Sequence, residues 1–173
     1  MRFMKRGQAV DSNIFTQLAQ KKKELLASGG DVINLSIGTP DFAPDEHVMQ
    51  AVAEACRNPE NYKYAMEDTP GLVSAVQDWY ERRYGVSLAP DQLMTVGGSQ
   101  EGLAQVACPF AGHGDLVLAP DPGYPIFSFG PLMTGAEAGL YPLLPENDWI
   151  VNLDSIDPAV ADRAAAMVVS YPN

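Results

Sequence analysis

Between positions 11 and 28 the chain places Ile14, Phe15, Leu18, Leu25 and Leu26 on roughly one helical face, with Asp11 or Ser12 as a start signal and Gly29-Gly30 as a stop. That spacing predicts a helix. A short apolar run, Val32 to Ser36, predicts a strand, and the breaker-rich stretch from Ile37 to Pro44 predicts a loop. Helical spacing returns from Asp45 to Arg57, where Val48, Val52 and Cys56 recur four apart. After a second loop, Thr69-Pro70 supplies an N-cap and first-turn pair. The stripe Leu72, Val73, Val76, Trp79 and Tyr80 then runs up to Gly85 and is expected to pack into a core.

Beyond Gln92 the period changes. A strand over Gln92 to Val96 meets a Gly-Gly turn and a helix from Glu101 to Cys108. The alternation continues with a strand Leu116 to Ala119, a loop and short helix around "PDPGYPIF", and a strand Leu140 to Leu144. A helix Pro158 to Ala166 and a strand Met167 to Ser170 complete it. Strands that alternate with helices, several of them apolar throughout, predict an α/β fold with a mostly parallel sheet flanked by helices. In such sheets ligands bind beyond the carboxyl ends of the strands, so the loops are where chemistry is expected.

Composition narrows the class. The chain has 173 residues, 46% of them hydrophobic, enough to bury a core, and its 14 prolines and 15 glycines punctuate it without low-complexity blocks. A formal charge of −11 argues against nucleic-acid and anionic-membrane partners, which are drawn to clustered Lys and Arg. Lys21 to Lys23 are expected on the solvated face of the first helix. No secretory leader pattern and no run of about twenty apolar residues is present, and the expectation is a soluble cytoplasmic protein. Cys56 and Cys108 lie far apart without metal-ligand spacing and are expected to be buried free thiols. With only His47 and His113 available, neither a metal site nor a histidine-based nucleophile is expected.

Four loops hold candidate chemistry. Val96 to Gln100, between a strand and a helix, could offer backbone N–H groups and the Ser99 hydroxyl to an anion, or could be a plain Gly-Gly turn with a serine cap. Asp121 to Pro125 stiffens a loop around Tyr124, whose ring could lie over a flat ligand or simply pack on the surface. Tyr62, Lys63 and Tyr64 form a donor-rich cluster in a loop that could equally be self-anchoring. Gly38 to Phe42 has the same two readings.

In order, "INLSIGTPDF", "YKYAMEDTPGLVSAVQDWYERRYGV", "TVGGSQEGLAQVA", "DLVLAPDPGYPIF" and "MVVSYPN" resemble the class I/II aminotransferases of the aspartate aminotransferase fold, enzymes dependent on pyridoxal 5′-phosphate (PLP). The wording is similar to LL-diaminopimelate aminotransferase-like bacterial enzymes. The resemblance implies fold type I, a three-layer α/β/α architecture. Residues 1–40 would form an N-terminal arm, helix and start of the small-domain region, and residues 41–173 the first part of the large PLP-binding domain. It also implies that Gly98, Ser99 and Gln100 bind the cofactor phosphate, that Tyr124 stacks on the pyridine, and that Gly38 meets the substrate carboxylate. Tyr64, or Tyr62 beside it, would reach the phosphate of a neighbouring subunit in a homodimer. Substrates would be an amino acid and a 2-oxo acid.

Two positions depart from the diaminopimelate-type pattern, which has a tyrosine at the place of Asn13 and a lysine at the place of Gln100. By the same resemblance Asn173 falls one residue short of the asparagine that touches the cofactor ring. The chain is therefore read as truncated, with the covalently bonding lysine, the aspartate at the pyridine nitrogen and the carboxylate-binding arginine lying beyond it. No catalytic residue is expected in this stretch, which alone would not catalyse amino transfer. Rival readings are a non-catalytic chain that binds a phosphate compound or a partner chain, and a fold-type-I carbon–sulfur lyase.

Overall fold

The computed structural model describes residues 14–172; Asp11, Ser12, Asn13 and Asn173 lie outside the described residues. The described chain divides into two compact units, one of residues 18–95 and one of residues 14–17 together with 96–172.

The first unit is helical. It carries most of α1 (Ile14–Ala27), α2 (Glu46–Ala55) and α3 (Pro70–Tyr84), with short 3-10 turns at Pro59–Tyr62 and Pro90–Gln92. Pro70 opens α3, and Gly85 closes it in the left-handed region at φ 63°, donating its N–H to Glu81 O at 2.9 Å. Gln77 Nε2 donates to Leu88 O at 2.6 Å, folding the following segment back along α3. None of the described residues of this unit is buried. The stripes on α1 and α3 therefore form as helical faces but are not core: Leu18, Leu25, Leu72 and Trp79 stay exposed.

The two strands expected here, Val32 to Ser36 and Gln92 to Val96, are not formed. Neither segment has a paired neighbour among the described residues to complete a ladder, and without paired N–H and C=O groups an apolar run is not a strand. Cys56 and Cys108 are free but exposed rather than buried. Cys56 caps the end of α2, a helix with no buried residue, and Cys108 stands in the turn after α4 (Ser99–Gln105).

The second unit is built on three parallel strands, β1 (Leu116–Asp121), β2 (Glu137–Pro142) and β3 (Ala164–Met167), in the order β2-β1-β3. Helix α5 (Ile126–Thr134) connects β1 to β2 and α6 (Pro158–Arg163) precedes β3. The α/β expectation holds, with shifted edges: β2 and β3 each start three residues early and α6 ends at Arg163. Register explains this, since Glu137 and Ala164 both align with Leu116, the first residue of the central strand. An irregularity between Leu116 and Val117 sets β3 one residue out of step, and Val168 N–H extends the pairing by donating to Leu118 O at 2.8 Å.

Side chains of β1 alternate between two covered faces. Leu116 and Leu118 join Tyr141 and Leu143, with Val151, Ile156, Ala164 and Met167 against them, while Val117 joins Ala111 and Ala136. Tyr141 is buried and donates its hydroxyl to Val168 O at 2.7 Å, tying β2 to the end of β3 across the central strand. Gly139 leaves room for the leucines of β1, because a Cβ there would stand 2.9 Å from Leu116 Cδ1 and 3.1 Å from Leu118 Cδ2.

Candidate cofactor-phosphate site

The turn Gly97-Gly98 leads into α4. Gly98 is the N-cap at φ 157° and ψ 153°, and a side chain on it would meet nothing within 4 Å, so space is open above the turn. The first-turn N–H groups of Ser99, Gln100 and Glu101 have no helical carbonyl to bond, as in every helix start. Upstream, the Gly97 N–H is taken by Glu101 Oε2 at 2.6 Å, while Gln105 Nε2 donates to Glu101 Oε1 at 3.0 Å. A Cβ on Gly97 would lie 2.5 Å from the same Oε2, so a side chain there would displace the Glu101 carboxylate.

The Tyr124 loop leaves the carboxyl end of β1 and delivers the chain to α5. Tyr124 Oη donates to Gln100 Oε1 at 3.1 Å, bringing two of the four candidate loops together at one place. Tyr124 is 44% exposed, and its ring stands 6.2 Å from Phe15 in a tilted pair and 6.1 Å from Phe127 edge-on. Nearby, Gly130 allows α5 to approach α4: a Cβ there would be 3.1 Å from Leu103 O and 3.2 Å from Ala104 Cα.

Gly38 and Tyr64 belong to the helical unit. Gly38 lies in an exposed segment, and a Cβ added to it would meet nothing within 4 Å. Of the donor-rich cluster, Tyr62 gives its hydroxyl to Cys56 O at 2.7 Å and Lys63 pairs with Glu60. Tyr64 is 95% exposed, and its hydroxyl makes no hydrogen bond among the described residues. The same loop is pinned at Asp68, whose carboxylate accepts the Thr95 N–H at 3.3 and 3.2 Å and also the Thr95 hydroxyl.

Two of these features were not expected from the sequence. Glu101 stands three places after the N-cap, the spacing at which a glutamate reaches back over a helix start, so a local signal was present. Asp68 and Thr95 are separated by 27 positions and carry no such signal. Among the described residues no three His, Cys, Asp or Glu side chains converge on a metal position, and no helix is long and apolar enough to cross a membrane.

The donor set at Gly98 to Gln100 and the exposed ring of Tyr124 suit a ligand with an anionic group and a flat face. The profile of the family "Aminotransferase class I and II" matches residues 30–173. The LL-diaminopimelate aminotransferase of Aquifex aeolicus is 38% identical over 178 residues, covering 99% of this chain and 45% of the relative. That of Moorella thermoacetica is 38% identical over 164 residues, covering 92% and 42%. The substrate-bound BacF structure from Bacillus subtilis superimposes with a TM-score of 0.91 at 31% identity, over 100% of this chain and 44% of that one. The chain thus spans less than half the length of the curated relatives it matches. By profile, sequence and fold together, it belongs to the class I and II aminotransferase family.

Proposed function

We propose that this chain forms the phosphate-holding and ring-stacking part of a PLP-dependent aminotransferase. The reaction moves an amino group between an amino acid and a 2-oxo acid in the cytoplasm, with LL-diaminopimelate as the first donor to test. The observation that carries the reading is the hydrogen bond from Tyr124 to Gln100, which joins an anion-binding turn to an aromatic face. When bound, PLP supplies an electron sink for negative charge developing at the amino acid's α-carbon.

The chain's own residues hold and orient. The N–H groups of Ser99 and Gln100 and the Ser99 hydroxyl hold the phosphate at the positive end of α4. Tyr124 lays its ring on the pyridine, its orientation set by the bond to Gln100 and by Phe15 and Phe127. In this reading Gly38 presents its backbone to the substrate carboxylate. Tyr64 reaches the phosphate of a neighbouring subunit in a homodimer, a role supported by its exposed hydroxyl, whereas Tyr62 is bonded to Cys56 O.

The full-length protein is expected to bind PLP in competition with inorganic phosphate and to transfer amine from LL-diaminopimelate to a 2-oxo acid. Tyr124→Ala should weaken PLP binding about fivefold or more, the worth of one aromatic stacking contact. Binding of PLP that phosphate does not compete, or that Tyr124→Ala leaves unchanged, would count against the assignment.

A further inference from the structure

We propose that Glu101 is a positioning residue, acting by its hydrogen bond and against its charge, that shapes the turn into an anion cradle; this rests on the phosphate role proposed for Ser99 and Gln100. The N-cap is a glycine, so no side chain at that position can satisfy a backbone donor, and helix starts of this kind are held by groups further along. Glu101 does so from the third helical position. Its Oε2 takes the Gly97 N–H at 2.6 Å and its Oε1 is braced by Gln105 at 3.0 Å. The carboxylate lies against Gly97, 2.5 Å from where a Cβ would stand, so a side chain at that position would compete with the bond.

The consequence is a division of donors. Glu101 removes Gly97 from the set that can meet a ligand, and the first-turn N–H groups of Ser99 and Gln100, which no helical carbonyl takes, remain for it. Its negative charge beside a phosphate opposes binding by like-charge repulsion, so geometry and charge predict opposite outcomes when the residue is changed. Glu101→Gln keeps an oxygen acceptor for Gly97 and removes the charge. Glu101→Ala removes both.

Binding of PLP, inorganic phosphate and pyridoxal to the full-length protein and both variants separates the two effects. Glu101→Gln is expected to bind PLP and phosphate as tightly as the parent or more tightly. Glu101→Ala is expected to lose about fivefold in affinity for both, the size of a lost helix cap, and to bind pyridoxal, which lacks the phosphate, unchanged. Equal tightening in Glu101→Ala and Glu101→Gln would show that only the charge matters, and equal loss of pyridoxal would show general damage; either result overturns the proposal. The Gly97 amide proton supplies a reading without any ligand. It should move upfield in Glu101→Ala and stay in place in Glu101→Gln, and failure to do so sinks the positioning role. A parent protein that binds neither PLP nor phosphate, with the Gly97 amide behaving as expected, would instead sink the cofactor reading.

Discussion

Two apolar runs of similar appearance, Leu116 to Ala119 and Val32 to Ile37, have opposite outcomes. The first is the central strand of a parallel sheet, with Val117 at 1% exposure, and the second is an unpaired segment in which Leu35 is 90% exposed. Strand propensity does not separate them. Partners do: β1 has β2 on one edge and β3 on the other, whereas residues 32–37 have no paired neighbour among the described residues. A strand is a property of a ladder and two covered faces, and an apolar run states only that it could occupy such a place.

The strongest way to break the comparison is to truncate one residue in each run and follow denaturant unfolding. Leu118→Ala is expected to cost about 2–5 kcal/mol, as for a buried leucine. Leu35→Ala should stay within about 0.5 kcal/mol, as for an exposed side chain. A comparable loss in both would mean that residues 32–37 are covered in solution.

A smaller effect tests how the sheet unit supports the site. Gly130→Ala places a Cβ against the backbone of Leu103 and Ala104, which cannot swing away as a side chain can. Overpacking of this kind is expected to cost about 1–3 kcal/mol in thermal unfolding. By pushing α4 from α5 it should also lower PLP affinity, and a stability loss with affinity intact would detach α4–α5 packing from the site.

The smallest effect concerns Tyr141. Burial, and secondarily the nearby Tyr171, hold its phenol above the ordinary value. Below the unfolded tyrosine value of about 10 the group is protonated in both states and its stabilising contribution is whole. As pH rises through that value and on through the raised folded one, the unfolded chain releases its proton first and the contribution is lost. Tyr141→Phe should cost about 1 kcal/mol at neutral pH by removing the bond to Val168 O, and should flatten the alkaline fall seen in pH-dependent unfolding.

The sequence announced the sheet unit well because its signals are local and agree with the contacts the chain makes. "LVLAP" is apolar and buried, with side chains on both faces of the sheet, and the "DPGYP" loop sits where strand-to-helix punctuation put it; the Gly-Gly turn opens its helix although no strand forms before it. The meeting of Tyr124 and Gln100 is a long-range contact between residues 24 apart, which spacing alone could not assign, and the family pattern named the two residues without pairing them. The helical unit was legible as helices and illegible as packing, because the stripes on α1 and α3 report what a face could bury and not whether anything covers it. Strand edges were missed by three residues since register is fixed by the partner strand and not by the strand's own composition.

The position of β1 at the centre of the sheet also has a meaning in time. Both of its partners come later in the chain, β2 first and β3 last. At ribosomal rates of about 5–20 residues per second, several seconds separate the synthesis of Leu116 from that of its partner Ala164. Throughout that interval the central strand of the sheet carries an unpaired edge, which makes the nascent chain, and not the finished fold, the stage at which this sheet is most open to wrong partners.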